Sequence, residues 1–241
     1  MSASPKVSNN VDQNVVDGFG DEWARFDQSD LPEQEHKAHP PTYENQRVKI
    51  EDGRPRREEF NLATHGFAFV NHKSAVQNFY DDDNVSSVCY PEVQALITEH
   101  IGCERVLVFD HTIRTADDEI IAKYGVRQPV KAVHNDYTEK SAPQRVRDLL
   151  QADEAEKILQ RRYAIIQVWR PIKSVESEPL AICDGRTIPQ TGFIMLQRRY
   201  SYRTAEVYHI SYNKNHKWKT VWYKNGGSNN FPGNNFKYEI I

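Results

Sequence analysis

The feature that most limits how this chain can fold is the shortness of its apolar runs. Stretches such as 106–109 (VLVF) and 163–166 (YAII) end within a few residues at a charged or amide side chain. A membrane-spanning helix needs about 20 consecutive apolar residues, so none is predicted. Runs this short, set between Pro, Gly, Asp and Asn, suit strands instead. RVKIED, from Arg47, alternates apolar and polar residues and breaks at Asp52-Gly53, which predicts a half-buried strand. Further strands are expected at 66–70, 163–169, 179–183, 205–212 and 217–223. ERVLVFDHT, rich in Val, reads as a strand buried on both faces.

Two segments change to helical periodicity. PEVQALITEHIG puts Val93, Leu96, Ile97 and Ile101 on one face, with Pro91 in the first turn and Gly102 at the end. Residues 141–162 begin Ser-x-x-Gln with Pro143 just inside and carry Val146, Leu149 and Leu150. After a break near Asp153 come Ile158 and Leu159, giving one or two surface helices. Short strands with turns between them, and helices gathered in the first half and middle, predict an α+β chain. It is mainly antiparallel β, a sandwich or barrel with helices packed outside.

At 241 residues the chain has room for one sizeable core. Residues 1–45 are rich in Asp, Glu, Asn, Gln, Pro and His and bury too little surface to order themselves, so they read as an arm. Residues 46–223 form the expected domain, and 224–241 is a Gly/Asn-rich, atypical tail. The 31 basic and 34 acidic residues are interspersed, which argues against a nucleic-acid partner. The start carries no basic, then apolar, signal segment, so the expected location is cytoplasmic. Cys89, Cys103 and Cys183 form no CxxC pair and read as small buried hydrophobes.

Chemistry centres on His134-Asn135-Asp136. In an extended chain residues i and i+2 point the same way, so imidazole and carboxylate can converge on one ion, as in the 2-His-1-carboxylate triad of non-haem iron enzymes. A plain His-Asp hydrogen bond or surface polarity stays open beside that reading. Arg170 offers a bidentate fork to a carboxylate of substrate or co-substrate, with an ion pair to Asp184 as the alternative. Trp169, Tyr137 and Tyr163 are candidates to line an apolar pocket or to fill core. Asp110, His111 and Arg114 read as a strand-end hydrogen-bond network.

The strings VCYPEVQALI, RVLVFDHTIR, KAVHNDYTEKSAPQRV, AIIQVWRPI, EPLAICDGRTI and AEVYHISYNKNHKW, in this order over 47–218, resemble the fungal asaB-type hydroxylase/desaturase family. That family is similar to cephem 7-alpha-methoxylase subunits. The resemblance implies a double-stranded β-helix (jelly-roll or cupin-like) and an Fe(II)/2-oxoglutarate-dependent oxygenase that uses O2. It implies a hydroxylase or desaturase acting on a small-molecule metabolite in fungal secondary metabolism, with His134 and Asp136 as iron ligands. In the family, a segment after the strand matched by HKWKTV holds the distal histidine and an arginine for 2-oxoglutarate. Here the Gly/Asn tract follows, with no His after His216 and no Arg after Arg203. The fold is therefore expected to be incomplete at its C-terminal end. His216, and less so His209, are the substitute third ligands. The alternative reading is a truncated, catalytically impaired homologue acting as a binding or partner protein.

Overall fold

A computed structural model describes residues 21–27, 43–173, 175, 178–199, 204–220 and 235–240. Ten strands and six α-helices follow in chain order: β1 Asp21–Asp27, β2 Tyr43–Asp52, α1 Leu62–His65, α2 Asp82–Asn84, α3 Tyr90–Ile101, β3 Val108–Arg114, α4 Asp118–Tyr124 and β4 His134–Asn135. Then come α5 Ser141–Leu149, α6 Ala152–Leu159, β5 Ile166–Pro171, β6 Ile182–Cys183, β7 Phe193–Arg199, β8 Thr204–Ile210, β9 Trp218–Thr220 and β10 Asn235–Ile240. They make three sheets, ordered β1-β2-β9-β6, β3-β10-β5 and β4-β8-β7. All pairings are antiparallel except β2 with β9. The α+β, mainly antiparallel expectation holds, and among the described residues the sheets do not close into a barrel. No helix there is long and apolar enough to cross a membrane.

The helix read from PEVQALITEHIG forms as α3, with Pro91 in its first turn and Gly102 in the left-handed conformation that ends it. Its inner face buries Val93 and Ile97 against Val85, Cys89, Val108 and Ile113. Residues 141–162 divide into α5 and α6, the break falling at Leu150 and Gln151.

β3 is covered on one face rather than both: Val108 and Ile113 are buried, and Asp110 is exposed. Those two lie five apart, an odd spacing that normally opposes side chains. The register with β10 slips by one residue opposite Phe109, and this bulge turns both toward α3.

Three expectations change. Residues 66–70 keep a period of two, Phe67 buried and Ala68 exposed, yet have no ladder neighbour; Phe67 and Phe69 pack with Phe60 and His65 instead. The strand at 179–183 contracts to β6. And β7, which the sequence did not suggest, pairs along its whole length with β8. Within the stretches read as arm and tail, Asp21–Asp27 pairs with β2, and Asn235–Ile240 lies between β3 and β5.

Candidate metal and carboxylate site

β4 is only two residues long, and the partner that fixes it is β8: His134 sits opposite His209 and Asn135 opposite Tyr208. Ile210 N donates to Val133 O just before it. The chain after Asp136 is pinned by side chains. Thr138 Oγ1 accepts from the backbone N–H of Lys140 and Ser141, and Ser141 Oγ donates to Glu206 O of β8 at 2.8 Å. The Ser-x-x-Gln start therefore serves this anchor, and α5 has no side-chain cap.

So held, His134 Nε2 and Asp136 Oδ1 lie 3.4 Å apart. His134 Nδ1 is 2.8 Å from Ala132 O, to which it donates, leaving Nε2 as the nitrogen that faces the carboxylate. Gln167 Nε2, on β5, donates to Asp136 Oδ2. Each member of the pair thus has an outer partner that fixes its orientation.

β5 forms one wall of a broad trough. Its lining includes His134, Asp136, Gln167, Trp169 and Arg170 beside apolar side chains from several elements. At about 2580 Å³ it is wider than the roughly 300–1,000 Å³ of an enclosed small-molecule pocket, so it is an open groove. Arg170 Nη2 donates to His72 Nδ1 at 2.5 Å. The alternative ion pair with Asp184 does not form, because Arg186 takes that carboxylate through Nε at 2.9 Å and Nη2 at 2.6 Å. That bidentate contact holds the Asp184 carboxyl below the usual carboxylate range.

A family profile described as "Oxidoreductase/YMDC permease-like domain" matches residues 18–230, most of the chain. The chain belongs to this oxidoreductase family. Within it the expected kinship with fungal hydroxylase/desaturases holds. The hydroxylase/desaturase CTB9 of Cercospora beticola is 35% identical over 61% of this chain and 48% of its own length. The Fe(II)/2-oxoglutarate-dependent dioxygenase nvfI of Aspergillus novofumigatus is 32% identical over 71% of this chain and 63% of its own. The chain therefore spans about half to just under two-thirds of the length of these relatives. The solved structure of the iron and alpha-ketoglutarate-dependent endoperoxidase NvfI superposes with a TM-score of 0.78 at 22% identity, over 92% of this chain and 97% of that one. The shared fold is the jelly roll expected from the sequence.

For this oxidoreductase-family chain, the donors can be tested against an iron ion. Two atoms up to about 4 Å apart can share a metal at bonds near 2.1 Å, and His134 Nε2 with Asp136 Oδ1 meet that limit. One imidazole nitrogen and one carboxylate oxygen fit two protein positions of a facial triad. Among the described residues no group of three His, Cys, Asp or Glu side chains is arranged to hold an ion. His216 does not join the pair. It is buried next to Trp218, ring centroids 6.1 Å apart, and leads into β9, whose sheet is not that of β4. His209 faces His134 across the ladder at 6.2 Å between centroids, and packs on Tyr43.

Tyr137 and His209 are not among the trough's lining residues, whereas Trp169 and Tyr163 are. Of the expected strand-end network, Asp110 and His111 are joined by the His111 N–H to Asp110 Oδ1, and Arg114 bonds elsewhere. His111 bridges Tyr90 Oη and Asp82, and Arg114 donates to Gln128 O. Gln167 and His72 went unread in the sequence. Their partners stand 31 and 98 residues away, and a lone Gln or His carries no local pattern.

Proposed function

We propose that this chain is an Fe(II)/2-oxoglutarate-dependent oxygenase, a hydroxylase or desaturase of a small-molecule metabolite, working in the cytoplasm. The observation that carries the reading is the His134–Asp136 pair, its two inward donors 3.4 Å apart and both outer atoms hydrogen-bonded, at the trough wall. When bound, iron supplies the O2 chemistry by which 2-oxoglutarate is decarboxylated to succinate while a substrate C–H bond is hydroxylated or a C–C bond desaturated. His134 Nδ1 keeps its proton and donates it to Ala132 O, so Nε2 would be the nitrogen that holds the metal. Gln167 steadies Asp136 through the carboxylate oxygen that the metal does not need. Trp169 contributes apolar wall, and Arg170 a fork for a carboxylate.

A second reading rests on the lack of a three-residue metal group among the described residues: a non-catalytic homologue that binds small molecules in the same trough. The two part on iron and turnover. Purified protein supplied with Fe(II), O2 and 2-oxoglutarate is expected to release succinate, and His134→Ala to abolish both iron binding by calorimetry and succinate release. Wild-type protein that neither binds Fe(II) nor consumes 2-oxoglutarate overturns the oxygenase reading and leaves the binding one.

A further inference from the structure

An arginine that is to read a ligand anion faces a dilemma. Held by a carboxylate it is oriented but neutralised, and left alone it keeps its charge but wanders. Arg170 has a third arrangement. Its guanidinium is donor-only and always charged, so the 2.5 Å contact requires His72 Nδ1 to be the acceptor and the ring to be neutral, its proton on Nε2. Among the described residues no carboxylate pairs with Arg170, and Asp184, the partner considered from the sequence, is occupied by Arg186. Arg170 Nε is buried and makes no hydrogen bond, and both Arg170 and His72 line the trough.

His72 in turn is held from α3. Two residues on, Ser74 Oγ donates to Glu92 Oε2 at 2.5 Å, Ala75 N donates to Glu92 Oε1 at 2.6 Å, and Val76 N donates to Ser74 Oγ. This ties a segment without ladder partners to the longest helix among the described residues. Burial, and then the Arg170 charge, push the His72 imidazole below its ordinary titration range, against the opposite pull of Glu92.

We infer that His72 is a positioning residue. It aims the Arg170 guanidinium into the trough without cancelling its charge, making a recognition point for a carboxylate. The inference rests on the trough being the ligand site proposed above. The carboxylate belongs either to 2-oxoglutarate or to an apolar substrate carrying its own acid group, and the test separates these sources.

The experiment measures binding of two probes, 2-oxoglutarate and decanoate, by calorimetry to the full chain in the presence of Mn(II), using wild type, Arg170→Ala, His72→Ala and His72→Asn. At least one probe is expected to bind wild type and to lose about tenfold or more with Arg170→Ala. It should lose roughly three- to tenfold with His72→Ala, and recover most of that with His72→Asn, whose Oδ1 can stand in for the Nδ1 acceptor. Loss confined to 2-oxoglutarate assigns the fork to the co-substrate, and loss confined to decanoate assigns it to the substrate. A readout independent of ligand is the His72 ring by nitrogen NMR. An Nε2–H tautomer is expected, with a titration that rises toward the ordinary value in Arg170→Ala. Probe affinity indifferent to His72→Ala, no rescue by His72→Asn, or no binding of either probe to wild type overturns the inference. Succinate release that survives in such a case leaves the oxygenase reading standing. Carboxylate binding that depends on His72 in a protein without turnover leaves this inference standing alone.

Discussion

The molecule is built in two styles. Around α3 it buries Val85, Cys89, Val93, Ile97, Val108 and Ile113, an apolar cluster with no buried charge. Around β8, β9 and the turns that flank them it buries His209, His216, Lys219, Thr220, Thr138 and Asp184 beside Val207, Ile210 and a smaller apolar cluster of Val48, Ile50 and Trp218. The first region is held by filled volume, which is additive and tolerant. The second is held by specific pairs: Lys219 with Glu51, Asp184 with Arg186, Ser141 with the β8 backbone. A buried polar group left without its partner costs about 1–3 kcal/mol. The proposed metal pair, His134 and Asp136, hangs on the second region, so its geometry is set by hydrogen bonds, while the first supplies the stability that lets such a network persist.

The largest test of that division is Ile97→Ala. Removing a buried side chain of this size is expected to lower stability by about 2–4 kcal/mol in urea denaturation, with iron affinity of the folded protein unchanged. An equal loss of iron affinity would mean that α3 and the site are not separate. Smaller, and opposite in character, is Gln167→Ala. It removes the Gln167 hydrogen bond to Asp136 Oδ2, and outer partners of this kind are worth roughly 10–100-fold in metal affinity or activity. The urea midpoint should move little. A variant that unfolds as readily as Ile97→Ala would make Gln167 a packing residue.

The same division explains what could be read from the sequence. The α3 side is local: Val93 and Ile97 are four residues apart, Pro91 and Gly102 mark the ends, and periodicity suffices. The β8 side depends on who pairs with whom. The approach of His134 and Asp136 was legible because residues i and i+2 share a side of an extended chain, but β4 ends at Asn135, and it is pairing with β8 that holds His134 in place. FIMLQRR has no clean alternation, so β7 is specified by its partner rather than by its own pattern. Asn235–Ile240 follows a Gly/Asn tract that gives no periodic signal, and its place between β3 and β5 is decided by two distant strands. Gln167 and His72 are of the same kind, ordinary residues made important by contacts far along the chain.

The smallest effect is on acid stability, and it sharpens the contrast because the shifted groups lie outside the α3 cluster. Burial pushes the His216 imidazole below its ordinary value of 6.5, and burial with the Arg170 charge does the same to His72. A group whose folded titration is depressed stabilises the fold above its unfolded value and loses that contribution as the pH falls through the folded one. For these imidazoles, the loss therefore begins below 6.5. Glu51, lowered by its hydrogen bond from Lys219, and Asp184, lowered by Arg186, follow the same sign from ordinary values of 4.5 and 3.8. Acid should thus weaken the protein in two stages, histidines first and carboxylates after. Urea midpoints measured at intervals from pH 7.5 to 3.5 should show both. His216→Gln should flatten only the upper stage, because an amide in that place has no proton to gain. If the upper stage survives in His216→Gln and in His72→Asn alike, the polar region is not what titrates there, and the contrast between the two halves of the molecule loses its electrostatic part.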